Sequence, residues 1–451
     1  MRGVIGDCNP FFILHYIFCV FLLFSIDKIC NKLYNHYKFE IYVFLCNLRR
    51  NFMKKNICKV MLILSLFMTV CGGNVYAKDG ENSGETTNIS LNIKDCNLYE
   101  ACEKNDTRTV KLLLRHGTDV NEKNNDEKTP LLKACEENHT KIIKLLLENG
   151  ANVNVNDNNN HTPLHYACKS NNTEIVKMLL ERDANVNMEA NNNHTPLHYA
   201  CENDNNNMIK MLLEKGAEVN VNDKDNVTPL HYACENNNIK AIKMLLENEA
   251  EVNVNDKDNV TPLQQACKND NAKIVKMLLE KKAGVNVNDN DNVTPLQQAC
   301  RNDNAKIVKM LLEKEANVNV NDNENITPLQ QVCKNDNARI VKMLLEKEAE
   351  VNVNDNENGT PLQQACKNDN AKIVKMLLEK GANVDVQDNE NITPLHYACK
   401  NNNTKIVKML FERDVNVNVN DNNNCTPLNY ARDNKNVKIV KMLLDHGAND
   451  N

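Results

Sequence analysis

Cysteine recurs at positions 102, 135, 168, 201, 234, 267, 300, 333, 366 and 399, always 33 residues after the last. A disulfide framework has no reason to keep a constant interval, whereas a tandem array must, so the row reports internal repetition. Thr-Pro pairs keep the same beat at Thr129, Thr162, Thr195, Thr228, Thr261, Thr294, Thr327, Thr360, Thr393 and Thr426, without insertion or deletion. Cys96 stands one period before the first of them, in a degenerate copy. The predicted array is 96–451, divided into 96–128, 129–161, 162–194, 195–227, 228–260, 261–293, 294–326, 327–359, 360–392, 393–425 and a shortened 426–451.

One repeat shows the local physics. Thr228-Pro229-Leu230-His231 predicts a helix start, because the Thr hydroxyl can cap an amide and Pro at the first helical position loses no needed donor. After Thr261, Thr294, Thr327 and Thr360 the His becomes Gln, which reads as a capping box whose third residue reaches back to the cap amide. His and Gln therefore serve one task, and all ten Thr are expected caps. The first helix is short and ends in Asn236-Asn237-Asn238. A second helix spans Lys240 to Glu247, with Ile242, Leu245 and Leu246 on one face. Val252 to Asp256 is extended, Lys257-Asp258 forms a tip, and Asn259 can adopt a left-handed backbone. Neither helix can bury its face alone, so each repeat must share a core with its neighbours.

The run Thr228-Pro229-Leu230-His231-Tyr232-Ala233, the 33-residue period, and Met244-Leu245-Leu246-Glu247 followed by Ala250, Val252 and Asn253 resemble the ankyrin repeat. The resemblance covers 96–451. It implies an all-α solenoid of paired antiparallel helices and hairpin-like loops in a curved stack. It also implies a protein-binding scaffold that uses the loop tips and the concave face of the first helices. The contact positions this implies form three stripes. Val227, Val260, Val293, Ile326 and Ile392 make an apolar line; Asp258, Asp291, Glu324, Glu357 and Glu390 line the tips; Lys268, Arg301, Lys334, Lys367 and Lys400 make a basic row. A periodic surface of this kind suits an extended or repetitive partner, and Ser at Val260, Val293 and Ile326 together is expected to abolish capture without unfolding the chain. The competing reading is a spacer of copied repeats whose charges are simply solvated.

Three departures from the family pattern bear on stability. The loop Gly before Thr-Pro is Asn here (Asn226, Asn259, Asn292, Asn325), and the Gly between the helices is Asn or Asp, as at Asn171 and Asp270. The Gly after the second helix persists at Gly117, Gly150, Gly216, Gly381 and Gly447, but is Asp183, Glu249, Lys282, Glu315, Glu348 and Asp414 elsewhere. A side chain at a left-handed helix end costs on the order of 1 kcal/mol, so the middle, from Asp225 to Glu348, should be the less stable part. Polar end repeats are expected, with Arg432 replacing the Cys of the row.

Other chemistries fit poorly. The net charge of −6, from 54 basic and 60 acidic residues, offers no cationic excess for phosphates, and aromatics are 5% with no Trp, so nucleic acid is not an expected partner. His165, His198, His231 and His396 come one per repeat. Stacked helices are about 8–10 Å apart, whereas zinc ligands lie about 2 Å from the ion. The Cys row inherits the same separation, beyond the roughly 7 Å Cα limit for a disulfide, and reads as small core residues. Asn288 to Asn292 lacks the Gly and Glu spacing of a calcium loop. No catalytic grouping stands outside the repeat, so a non-catalytic monomer without cofactor is expected.

Residues 1–95 read differently. Met53, with Lys54, Lys55 and Lys59, the apolar Val60 to Val70 and the small-x-small Val75-Tyr76-Ala77, has the layout of a signal peptide cleaved after Ala77. Export to the periplasm, cell surface or medium follows, with 78–95 as a linker. Residues 1–52 then read as a doubtful extension. The alternative is a membrane anchor at Phe11 to Ile26, which is short for a spanning helix; a membrane would be met only through this uncleaved front end.

Overall fold

A computed structural model of the chain describes residues 97–449, which belong to one contiguous unit. The predicted signal segment at 53–77, the anchor at 11–26, the extension at 1–52 and the linker at 78–95 lie outside the described residues. Among the described residues there are 22 helices and no strands, arranged as eleven successive pairs from Leu98–Glu103 and Thr107–Arg115 to Pro427–Asp433 and Val437–Asp445. None is long and apolar enough to cross a membrane. Each pair has an inner helix and an outer helix that follows it; the inner helix begins at the Thr-Pro step in ten pairs and at Asn97 in the first.

The repeat starting at Thr261 shows how the residues build this. The inner helix is Pro262–Lys268; Thr261 Oγ1 accepts the Gln264 amide at 3.2 Å and Gln264 Oε1 accepts the Thr261 amide at 2.8 Å. The predicted capping box is therefore closed in both directions. The helix ends where Asp270 turns left-handed at φ 57°. Asn271 then caps the outer helix, Ala272–Glu280, its Oδ1 accepting the amides of Lys273 and Ile274. That helix terminates at Lys282, φ 65°, with the Ala283 amide returning to the Leu278 carbonyl in a Schellman closure.

Leu263, Ala266 and Cys267 of the inner helix and Ile274, Val275, Leu278 and Leu279 of the outer helix are buried together, and one such set follows another through a continuous core. Each large aliphatic side chain so placed contributes about 1.5–3 kcal/mol relative to exposure. The cysteines from 102 to 399 belong to this core as free thiols. Burial pushes every one of these thiols up, that of Cys399 to about 12, which removes the reactive thiolate at neutral pH.

Two details differ from expectation. Asp414, expected among the left-handed helix ends, has no positive φ. Val415 fills the position that is Thr118 in the first repeat and Ala in the rest, and its amide bonds to the Arg413 carbonyl instead of closing back on the helix. The last repeat is also not a polar cap: Val437 is 80% and Leu444 37% exposed. These positions face the following repeat elsewhere (Leu378, the counterpart of Leu444, is 5% exposed), and here no repeat follows among the described residues. The first repeat does present polar residues, with Glu103, Lys104, Asn105 and Asp106 exposed.

Candidate functional site

The candidate site is the surface made by the ends of the inner helices and the loop tips. Its scaffold is a set of hydrogen-bond ladders along the array. All ten predicted Thr caps, Thr129, Thr162, Thr195, Thr228, Thr261, Thr294, Thr327, Thr360, Thr393 and Thr426, precede Pro at the head of an inner helix. The capping His and Gln do more than close their own helix. Gln264 Nε2 donates to the Val293 carbonyl at 2.9 Å, Gln363 Nε2 to that of Ile392 at 2.7 Å, and His231 Nε2 meets that of Val260 at 3.1 Å. One side chain therefore caps its own repeat and ties the next loop to it. Burial lowers the imidazoles of His165 and His198 to about 4, so both are neutral at physiological pH, as an accepting Nδ1 requires.

Asparagine supplies two further ladders. From Asn203 to Asn434, the Asn after the inner helix donates to the Cys carbonyl of the previous repeat, as Asn302 does to Cys267 at 2.8 Å and Asn335 to Cys300 at 2.8 Å. From Asn172 to Asn436, the Asn capping the outer helix reaches the left-handed residue of the previous repeat, as Asn304 does to Asp270 at 2.7 Å. Such contacts are invisible in one repeat read alone, which is why the Asn runs looked like mere helix stops.

The loop tips are fastened from below. Asp256 Oδ1 accepts the amides of Asp258 and Val260, and Asn259 is left-handed at φ 58°. The same arrangement recurs at Asp157, Asp223, Asp289, Asp322, Asp355, Asp388 and Asp421. The sequence reading missed these carboxylates, although an Asp four residues before the one preceding Thr is a legible signal. Adjacent tips are joined by backbone: the carbonyls of Asp258, Asp291, Glu324, Glu357 and Glu390 accept the amides of Asn290, Asn323, Asn356, Asn389 and Asn422. The side chains of these five acidic residues are exposed, as expected.

The basic row Lys268, Arg301, Lys334, Lys367 and Lys400 is exposed as well. It leans toward the next loop: Arg301 pairs with Asp322 at 2.7 Å and Lys334 with Asp355 at 3.9 Å, while Lys367 and Lys400 lie over the rings of Tyr397 and Tyr430 at 5.9 and 6.0 Å.

The apolar line is a correction. Val293 is 4% exposed and Ile326 and Ile392 8% each, and Val227 and Val260 are only half-buried. Each residue closes its loop. Its amide is held by the loop Asp and its carbonyl by the capping His or Gln of the previous repeat, which turns the side chain between neighbouring loops. Ser at Val260, Val293 and Ile326 would loosen packing and could not separate binding from folding. Two of the three stripes are open to a partner.

Among the described residues no group of His, Cys, Asp and Glu is placed to hold a metal ion. No curated protein matches the chain. A family model described as ankyrin repeats in three copies matches residues 98–190, 184–258, 248–322, 316–388 and 383–451. With eleven helix pairs, closed Thr-Pro caps and loops laddered from tip to tip, the chain belongs to the ankyrin repeat family, whose repeats generally mediate protein–protein interaction.

Proposed function

We propose that the array is a non-catalytic scaffold that holds protein partners against its inner helices and loop tips, and that residues 53–77 direct it for export. The observation that carries this is a contrast between faces. Outer helices pair part of their charge internally through i,i+4 contacts such as Lys276–Glu280, Lys309–Glu313 and Lys375–Glu379, whereas Lys268, Lys367 and Lys400 and the tip carboxylates make no such pairs among the described residues. Exposed pairs of that kind contribute little to stability, about 0–1 kcal/mol, so the difference concerns what each face offers to a partner.

A photo-crosslinking residue placed at Lys268 or Lys367, compared with Lys276 or Lys375, tests the reading. Saturable crosslinks to a polypeptide from the inner positions alone are expected. Equal crosslinking from both faces would remove the site, and none from either favours the spacer reading. One feature favours that spacer: Ala272–Glu280, Ala305–Glu313 and Ala371–Glu379 are identical in sequence, as length-generating duplication would leave them. Export is tested separately by the mass of the mature chain, which begins at Lys78 if 53–77 is removed.

A further inference from the structure

The residue after each row Cys ends the inner helix and is exposed, and its charge follows an order along the array. Glu103, Glu136, Lys169, Glu202 and Glu235 come first, then Lys268, Arg301, Lys334, Lys367 and Lys400. The sign reverses in one step between Glu235 and Lys268. Among the ten residues that follow a row Cys, Lys169 is the one exception to an acidic side before this step and a basic side after it; in the last repeat, where Arg432 replaces the Cys, the corresponding residue Asp433 is acidic again.

The charges differ in how far the protein satisfies them. Glu103 and Glu136 are answered by Lys133 at 3.2 and 3.6 Å, and Lys128 is also 3.2 Å from Glu136. Among the described residues Glu202 and Glu235 have no ion-pair partner, although both sit close enough to Tyr232 to help burial and Asp223 raise its hydroxyl. Beside them is an unfilled position. The second carboxylate oxygen of most loop Asp residues has a side-chain partner: a Tyr hydroxyl for Asp157, Asp223, Asp388 and Asp421, the Arg301 guanidinium for Asp322, and the Lys334 ammonium for Asp355. Two loop Asp residues show no such partner among the described residues: Asp289, where the tyrosine position is Gln298 but the residue matching Arg301 is the cation Lys268, and Asp256, where the tyrosine position is Gln265 and the matching residue is the anion Glu235. Arg301 on Asp322, at 2.7 Å, shows which group that oxygen accepts in this framework. At the other end, Lys367 and Lys400 lie beside Tyr397 and Tyr430 with no carboxylate partner among the described residues.

We infer that the inner wall takes an extended polypeptide with segregated charge, its basic segment over Glu202, Glu235 and Asp256 and its acidic segment over Lys367 and Lys400. This deepens the scaffold reading and rests on it. A single-sign polymer would meet repulsion across half the wall. Glu235 and Lys367 are four repeats apart. At about 10 Å per stacked pair and about 3.3 Å per extended residue, roughly twelve residues separate the two segments.

The test uses the full chain and two labelled synthetic peptides of one composition. The first has five Arg, a twelve-residue Gly/Ser spacer and five Glu; the second alternates the same charges. At 0.15 M salt the segregated peptide is expected to bind roughly tenfold tighter. Glu202→Lys with Glu235→Lys, and separately Lys367→Glu with Lys400→Glu, should each remove that preference, and Asp256→Asn should weaken it. All these side chains are exposed or half-buried, and unchanged circular dichroism and melting temperature verify folding; Glu235→Gln repeats the test without reversing charge. Equal binding of the two peptides, reversals without effect, no binding of either peptide, or tighter binding of a single-stranded oligonucleotide would each overturn the proposal. Crosslinks from Lys268 and Lys367 to a natural partner would survive such a failure, which distinguishes it from failure of the scaffold reading.

Discussion

At the scale of single residues, the array repeatedly uses left-handed backbone and fills it with whatever side chain is to hand. Gly117, Gly150, Gly216, Gly381 and Gly447 end outer helices at φ between 81° and 86°. A Cβ built on any of them meets nothing within 4 Å, so the cost of a side chain there is purely conformational. Glu249, Lys282, Glu315 and Glu348 carry that cost at φ of 63–65°. The left-handed penalty for an L-residue is about 1–2 kcal/mol, partly offset because Gly loses about 0.5–1 kcal/mol more on folding. Lys282→Gly, Glu315→Gly and Glu348→Gly should therefore each stabilise the chain by about 0.5–1 kcal/mol, and Gly381→Lys should destabilise it comparably. Melting midpoints read this directly. A loss of stability in the three Gly variants would mean that their side chains make contacts outweighing the dihedral strain.

At the scale of the element, the inner helix was legible in sequence because its start is local. Thr261, Pro262 and Gln264 lie within four residues, and their capping chemistry needs no neighbour. What escaped notice needs two repeats at once: the reach of Gln264 to Val293, the Asn ladders, and the inward turn of Val293 and Ile326. Those valines and isoleucines looked exposed because family contact positions are assigned by register, whereas their burial is set by the loop alongside. His and Gln interchange because they perform one task at the helix start, and burial of the His gives that task a pH consequence. Unfolded imidazoles titrate near 6.5, while burial lowers His165 and His198 to about 4. Between those values the unfolded chain binds more protons, so the stability contribution is complete above pH 6.5 and is lost as pH falls through about 4. At pH 5 the loss is on the order of 2 kcal/mol per histidine. His165→Gln with His198→Gln should keep the bonds to the cap amide and the next loop while flattening the fall in melting temperature between pH 7 and pH 5. An undiminished fall would place the acid sensitivity elsewhere.

At the scale of the whole molecule, a solenoid has no single stability, because each repeat has its own term and its neighbours' interfaces. The chain contains a natural comparison. Ala305–Glu313 and Ala371–Glu379 are the same nine residues, capped alike by Asn304 and Asn370, and diverge at the helix exit, where one continues to Glu315 and the other to Gly381. Identical sequence gives these helices nearly matched intrinsic amide exchange, so any difference in protection reports local stability. Two causes predict opposite signs. Ala371–Glu379 lies closer to the C-terminal repeat, whose Leu444 is partly uncovered, so fraying from that end would make it exchange faster. Left-handed strain at Glu315, flanked by Lys282 and Glu348 in adjacent repeats, would make Ala305–Glu313 exchange faster instead. A difference of about 1 kcal/mol corresponds to roughly fivefold in rate, and strain is the larger effect for a helix two repeats from the last one. Ala305–Glu313 should thus exchange roughly fivefold faster than Ala371–Glu379, read on peptides that run through Glu315 and Gly381 so that their masses distinguish them. Equal rates would remove strain as a determinant of where the array yields, and the reverse order would assign that role to its open end.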